Sequence, residues 1–463
     1  MTRVLQLWLM SLLTEQTNLL KMETRAEYLR RKFWEEDEQK GSPIGKAYHE
    51  VECILSSSME DGWPLRKQKL HDLLDYARRN TQFYSKYDGY DLNIYPVMSK
   101  QMLIDHHDEI VVNPVNIPGQ EGPVFIQRTS GSTGNPLAMP QDTRKRQRRV
   151  AEIKYMVGKL GYQSHEKMIH LRTWDNLTRK PEDMEEKDNI YPFDIKSLSE
   201  ERLKLLCELI NKKEAVYLRG YASTFGKIAD VAIKYGYTFP SLRLVVATSE
   251  SLEDDVRQKA IQAFMCNVVS QYADEECGVL AQECIPTLPS DNKMYFNWAG
   301  YYIEILKMNE DVPVEYGEVG RIVLTDFHNY AFPVIRYDTG DTCILLPPDE
   351  KSNGYPVMGK LYGRRFDLTY ATDGTPIYPL AYGRILKNYD IISSWQFVQK
   401  GEKDYSLILV LKQEDDNAVT DMIKQIKGFL GGDAVIKVEN AKEIPLLRSG
   451  KRKPVKNEWV INR

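Results

Sequence analysis

The sequence lacks paired cysteines, a membrane-length apolar run and an excess of either charge. Its six cysteines, Cys53, Cys207, Cys266, Cys277, Cys284 and Cys343, are scattered and form no CxxC pair. That pattern argues against a disulfide framework and fits free thiols in a reducing compartment. No apolar run approaches the roughly 20 residues that cross a bilayer. Val4 to Leu13 is apolar apart from Gln6 and Ser11, and Arg3 precedes it. Glu15 and Gln16 then stand where a signal peptide would need small residues. This stretch reads as an amphipathic helix, or as sequence upstream of a start at Met22, and the expected address is the cytoplasm. The 62 basic and 66 acidic residues leave a net charge of -4, which argues against bulk nucleic-acid binding. With 42% hydrophobic and 28% charged residues the composition is that of a globular protein, not of a collagen-like, mucin-like or disordered chain. At about 150 residues per domain, the 463 residues predict two or three domains.

What is present is mostly α/β. Leu70, Leu73, Leu74 and Ala77 follow the spacing of one buried helix face. From Val124 short apolar runs alternate with amphipathic helices, the pattern of a parallel α/β sheet. Ser197 and Glu200 form a candidate capping box before the stripe Leu203, Leu206, Cys207 and Ile210. Strands are predicted at Ala215 to Leu218, Leu242 to Ala247 and Val268 to Ser270. Helices are predicted through Ile228, Val231, Ala232 and Tyr235, and from Leu252 to Phe264. The acidic stretch Glu182 to Asp188 reads as a solvated loop. After Asp341 the chain becomes looped and rich in Pro and Gly. A smaller α/β unit is expected from Arg364, with strands at Trp395 to Gln399, Tyr405 to Leu411 and Ala434 to Val438. Its helix carries Val419, Met422, Ile423 and Ile426. The tail after Pro445 is basic and has little apolar periodicity.

The densest chemical signal is Thr129-Ser130-Gly131-Ser132-Thr133-Gly134-Asn135-Pro136, which follows the apolar run Val124 to Ile126. Glycines let the backbone approach a ligand closely. Converging N–H groups and hydroxyls suit phosphate oxygens, yet no GK[ST] ends the segment, so it is not a Walker loop. Four further motifs follow in order: Tyr272-Ala273-Asp274-Glu275-Glu276, Arg336-Tyr337-Asp338-Thr339-Gly340-Asp341, Gly363-Arg364-Arg365-Phe366-Asp367, and Pro445-Leu446-Leu447-Arg448-Ser449-Gly450-Lys451. Upstream lie Leu74 to Asn80, Phe83-Tyr84 and Pro96-Val97-Met98-Ser99-Lys100.

Together these motifs resemble the acyl-adenylate-forming enzymes, most of all the phenylacetate–CoA ligase branch, which includes capsular-polysaccharide and deazaflavin-cofactor adenylating relatives. The resemblance runs from about Leu73 to the C-terminus. It implies a large multi-layered α/β adenylation domain over 1–363, with an added β region, and a small mobile α/β cap over 364–463. It implies ATP and Mg²⁺, a small carboxylic acid substrate and a thiol or amine acceptor, with coenzyme A ahead of an amine on a sugar or cofactor. A non-catalytic nucleotide-binding relative is the rival reading. By the same resemblance, Thr129, Ser130, Gly131, Ser132, Thr133 and Gly134 hold phosphate. Tyr272 packs on adenine, Asp341 accepts from the ribose hydroxyls and Arg364 binds nucleotide. Glu276 holds the metal, and Lys451 reaches the α-phosphate and the substrate carboxylate. Three positions depart from the family pattern: Ala273 for Gly, Glu275 for a hydroxyl residue, and Phe366 at the hinge for Asp or Lys. Glu275 makes the metal assignment ambiguous with Glu276, and the motif register selects Glu276.

Other residues leave their readings open. The run Arg144, Lys145, Arg146, Arg148 and Arg149 reads as a solvated helix face near a triphosphate site rather than a nucleic-acid grip. Cys277 and Cys284 read as buried thiols rather than zinc ligands, with Tyr295 where a His would be needed. His170, Arg172 and Trp174 either line an acyl pocket or are ordinary strand-end residues. Arg219-Gly220-Tyr221-Ala222-Ser223 resembles a family segment near the acyl site.

Overall fold

Helical spacing and good caps build the N-terminal layer. The computed structural model describes residues 23–128, 137–173, 180–285, 292–364, 368–377, 379–386, 388–445 and 453–459. The helix Arg25–Gln39 starts on a capping box between Thr24 and Glu27. Pro43–Ser56 and Met59–Asn80 follow. The last buries Leu70, Leu73, Leu74 and Ala77, the face predicted from their spacing. These side chains join Phe296, Leu324 and Phe332 in one apolar core.

Strands β1 (Phe125–Arg128) and β2 (Ala138–Gln141) form an antiparallel hairpin, with Arg128 opposite Ala138. Eleven further strands make one sheet. They are β3 (Met168–Arg172), β4 (Ile190–Asp194), β5 (Tyr217–Tyr221), β6 (Leu244–Thr248), β7 (Asn267–Ala273), β8 (Val279–Glu283), β9 (Met294–Phe296), β10 (Tyr301–Leu306), β11 (Val319–Asp326), β12 (Tyr337–Leu346) and β13 (Val357–Arg364). Their spatial order is β10-β11-β12-β13-β9-β8-β7-β6-β5-β3-β4. From β4 to β7 the pairing is parallel, as expected from the alternation of apolar runs with helices. From β7 onward it is antiparallel. The helices Glu200–Lys213, Ala222–Tyr235 and Asp254–Phe264 cover one face of the parallel half. Leu206, Ile210, Phe225 and Ile228 pack there against Ile169, Leu218 and Val245. Each such side chain contributes roughly 1.5–3 kcal/mol by leaving water.

The structure corrects several local expectations. The cap of Glu200–Lys213 is Ser199, whose side chain accepts from the Arg202 N–H; the Ser197 box does not form. The acidic stretch is not a loop but the helix Pro181–Asp188. Pro181 opens it, Glu182 and Asp183 sit in its first turn, and Asn189 closes it in the left-handed region. The chain after Asp341 is not simply looped, because β12 runs on to Leu346 and β13 returns to Arg364. Tyr235 ends the predicted helix, as Ala222–Tyr235, and is 43% exposed there.

The C-terminal part has its own sheet and core. A short hairpin joins β14 (Thr369–Tyr370) to β15 (Pro376–Ile377). Strands β16 (Ile392–Gln399), β17 (Asp404–Leu411), β18 (Val435–Asn440) and β19 (Val455–Asn457) lie in the order β18-β17-β16-β19. The helix Asp416–Leu430 buries Met422, Ile426 and Leu430 against Phe397, Leu407 and Leu409. Three of these strands and the helix were predicted. The strand β19 was not, because three residues in a basic tail show no period. No helix among the described residues is long and apolar enough to cross a membrane.

Candidate active site

Four of the sequence motifs have described segments that converge around the turn after β7. That turn carries Asp274, Glu275 and Glu276. Asp274 Oδ1 accepts from the main-chain N–H groups of Cys277 (2.6 Å) and Gly278 (3.0 Å), which fixes the turn. Asp274 Oδ2 is buried and meets no partner. Burial, with the negative charge of Glu276 beside it, pushes the Asp274 carboxyl up.

Both strands of the β1–β2 hairpin bond to this turn. Gln127 Nε2 donates to Glu275 Oε2 at 2.7 Å, and Gln141 Nε2 donates to the main-chain oxygen of Glu276 at 3.1 Å. The segment Thr129, Ser130, Gly131, Ser132, Thr133 and Gly134 itself lies outside the described residues. The strands that flank it in sequence are each tied to the acidic turn through a side chain. A strand does precede the segment, as expected, ending at Arg128 rather than Ile126.

Glu276 is buried, and its Oε1 accepts from Lys100 Nζ at 3.2 Å and from the Tyr337 hydroxyl at 3.4 Å. Burial first, then the charge of Glu276, holds the Tyr337 phenol well above its ordinary range, so it stays a donor. The upstream segment at Met98 is stitched to the third motif. The Met98 N–H donates to the Arg336 carbonyl (2.8 Å), and the Asp338 N–H donates to the Met98 carbonyl (2.9 Å). Ser99 then caps the helix Lys100–Asp105. This places Lys100 beside Glu276, a role that the sequence did not reveal. The signal present was a lysine directly after a serine cap in a family-like segment.

The third and fourth motifs meet on neighbouring strands. Asp341 on β12 is directly opposite Arg364 on β13. The Tyr272 hydroxyl donates to Asp341 Oδ2 at 2.8 Å. Burial, then the charge of Asp341, keeps the Tyr272 phenol protonated. The expected adenine-side and ribose-side residues are thus in direct contact. Arg336 braces the motif: buried, it donates to both oxygens of Glu304 (3.1 and 2.9 Å) and to the Tyr95 carbonyl (3.0 Å). Arg365, Phe366 and Asp367 lie outside the described residues, as does Lys451. The chain directly after the last motif is anchored, with the Phe397 N–H donating to the Pro454 carbonyl at 2.8 Å.

The donor set fits Mg·ATP. Carboxylate oxygens are what a hard divalent cation takes, and magnesium near phosphates needs only one or two of them from protein. Among the described residues no group of three or more His, Cys, Asp or Glu forms a ready-made metal cage. Asp274 Oδ2, buried without a hydrogen-bond partner, and Glu276 Oε1 are the carboxylate oxygens that this turn offers to a cation.

Two expectations need correction here. The basic run is not a solvated face. Lys145 is fully buried and pairs with Asp326 at 2.5 Å. Arg148 is buried between Glu50 and Glu152. Arg146 lies 4.0 Å from the Phe125 ring centroid and Arg144 lies 4.4 Å from that of Tyr330. Arg149 donates to the Glu275 carbonyl at 3.1 Å. The reason is that the helix Thr143–Gly158 buries Lys145 and Arg148 and half-buries Arg146 and Arg149, so that of these five cations Arg144 alone is exposed. Of the two thiols, Cys277 is buried as expected, whereas Cys284 is exposed at the end of β8.

This chain has the fold of the adenylate-forming acyl-CoA ligases. The structure of 2-hydroxyisobutyryl-CoA ligase in its postadenylation state, in complex with R3-HIB-AMP, is similar with a TM-score of 0.69 at 14% identity, covering 88% of this chain and 92% of that one. The anthranilate CoA ligase AuaEII in complex with anthranoyl-AMP gives 0.53 at 15%, covering 71% and 65%. In sequence the chain is similar to protein CapK of Staphylococcus aureus, 23% identical over 443 residues, which is 88% of this chain and 91% of that protein. No protein-family model matches the chain.

Proposed function

We propose that the protein activates a small carboxylic acid with ATP through an acyl-adenylate and then transfers the acyl group to a thiol, coenzyme A. The observation that carries this reading is the convergence at the β7 turn: the stem of the Gly/Ser/Thr segment, the Glu275–Glu276 pair and the Tyr272–Asp341 bond.

In the first step the substrate carboxylate attacks the α-phosphorus of ATP. The new P–O bond forms as the bond to the bridging oxygen breaks, and pyrophosphate leaves. Charge accumulates on the phosphoryl oxygens, so aligned donors and cations lower the barrier. Thr129, Ser130, Gly131, Ser132, Thr133 and Gly134 would cradle the departing phosphates. Tyr272 and Asp341 would trade their mutual hydrogen bond for contacts to adenine and ribose. Arg364, on the strand opposite Asp341, would bind nucleotide. Glu276 would hold Mg²⁺, whose charge screens the phosphate oxygens. Lys451 would bridge the α-phosphate and the carboxylate as a mobile ammonium.

In the second step the thiol sulfur attacks the acyl carbon, AMP leaves and the thiol proton passes to solvent. Two relatives of the same fold are named as CoA ligases, which supports coenzyme A over an amine. The separate sheet and core after Arg364 support a division into an adenylation domain over 1–363 and a cap over 364–463. The six free cysteines fit a cytoplasmic address, where ATP and coenzyme A are at hand.

The test supplies ATP, a panel of carboxylic acids and either coenzyme A or amino sugars, and identifies products by mass. A thioester with stoichiometric AMP is the expected result. An amide formed while coenzyme A stays inert would replace the thiol by an amine, and ATP turnover to ADP would remove adenylation altogether.

A further inference from the structure

On the face of the parallel sheet opposite the Leu206–Phe225 core, an apolar floor gives way to a polar layer. Met168, Tyr217, Leu244, Val246 and Val269 form the floor. Two residues further along β3, β5 and β7, toward their C-terminal ends, stand His170, Arg219 and Gln271. His170 and Arg219 are direct neighbours across β3 and β5, and Arg219 is opposite Val246 on β6. Arg219 Nη2 reaches past β6 to Gln271 Oε1 (2.6 Å), and its Nη1 donates to the Tyr217 hydroxyl at 3.3 Å. Both partners are neutral. No Asp or Glu among the described residues pairs with this half-buried guanidinium, whose side-chain hydrogen bonds are the two to Gln271 and Tyr217. A partly buried cation without an acid is costly, and natural sheets seldom retain one without a counter-charge. The side chain sits on a rigid base. A Cβ at the next residue, Gly220, would stand 2.7 Å from Leu171 Cβ, so β5 and β3 are clamped together there.

The place is as telling as the charge. Gln271 directly precedes Tyr272, so the layer lies just below the turn at which the nucleotide motifs converge. Ligands of parallel α/β sheets bind beyond the C-terminal ends of the strands. A substrate with its reacting carboxylate at the β7 turn would extend its tail down this face toward Arg219, over a span of a few residues at about 3.3 Å each. Burial, then the charges of Arg219 and Arg172, pushes the His170 imidazole down to about 3. It is therefore neutral and adds no charge of its own beside Arg219.

We propose that the activated acid carries a second carboxylate, and that Arg219, oriented by Gln271, is the residue that selects it. This rests on the adenylation reading above. The planar guanidinium can take a carboxylate through two parallel N–H bonds while Gln271 and Tyr217 hold its other donors. An uncharged acyl tail would leave the cation buried against an apolar surface.

The test compares ATP–pyrophosphate exchange supported by linear dicarboxylates, from succinate to suberate, with exchange supported by the monocarboxylates of equal length. Calorimetric titration of the same acids without ATP accompanies it. We expect at least one dicarboxylate to exceed its monocarboxylate by about 100-fold in kcat/KM, the range of a hydrogen-bonded charge. Arg219→Met should lower that ratio by at least about 30-fold, mainly through KM, and Arg219→Lys should restore part of it. Gln271→Glu keeps Arg219 but gives it an internal acid, so it should abolish the preference in a folded protein even where Arg219→Met is unstable. Preference for monocarboxylates in the wild type, or a ratio unmoved by either variant, overturns the proposal. Absence of exchange with every acid would count against the adenylation reading, and the titrations then decide. Dianion binding that requires Arg219 upholds the subsite, and its absence removes it.

Discussion

Two sets of basic residues lie within reach of the same strand ends and are treated oppositely. The run from Arg144 to Arg149 is conspicuous in sequence, yet its cations are absorbed internally by Asp326, Glu50, Glu152, a carbonyl and two aromatic rings. Arg219 stands alone in an apolar strand, and among the described residues its guanidinium pairs with no acid. Density of charge in a sequence thus indicates how much compensation the fold must supply. It does not indicate where the ligand binds. The subsite proposed for a second carboxylate centres instead on a single cation for which no acid stands among the described residues.

The largest effect that sharpens this contrast is on stability. Lys145→Met strands the Asp326 carboxylate in the core, where burial already pushes its carboxyl up. Denaturant unfolding should lose about 3–5 kcal/mol, and replacing both partners by apolar residues should recover most of it. A loss below about 1 kcal/mol would put Lys145 among the surface pairs.

Next comes the nucleotide side. Asp341→Asn removes an ionised acceptor while keeping its shape. It should reduce kcat/KM for ATP by about 10- to 100-fold, the range of a hydrogen bond to a charged group. An unchanged value would mean that the Tyr272 contact is structural only.

A comparison of the two carboxylates should give a graded result. Glu276→Gln should raise the magnesium concentration for half-maximal exchange by about 10-fold, and Glu275→Gln by less, because Glu275 is engaged by Gln127 at the hairpin stem. The reverse ranking would move the metal to Glu275.

The smallest effect belongs to Arg144, which is exposed over Tyr330. Arg144→Ala should cost about 0.5–1 kcal/mol in the same unfolding assay and leave the dicarboxylate preference where it was. A larger loss would show that the run acts as one electrostatic unit.

Much of this architecture was legible in the sequence, for reasons that differ by element. The helix Met59–Asn80 and the parallel strands announce themselves by period and apolar content, since each must bury one face. Tyr272 and Asp341 were identified by motif, but their hydrogen bond links β7 and β12, which are not neighbours in the sheet, so sequence pattern alone did not give it. Other features were hidden because they depend on distant partners. The burial of Lys145 follows from Asp326, far along the chain. The place of Lys100 follows from main-chain bonds between Met98 and β12. The isolation of Arg219 is a property of three neighbouring strands and of what they do not carry. The exposed Cys284 and the acidic helix Pro181–Asp188 were misread because composition alone ignores caps and strand ends.

The most direct test of adenylation is acid-dependent exchange of labelled pyrophosphate into ATP, measured for the wild type and for Lys451→Ala. The account predicts exchange only with a matching acid. It predicts loss by orders of magnitude in Lys451→Ala, with ATP binding largely retained. Exchange without any acid, or undiminished exchange in the variant, would contradict it.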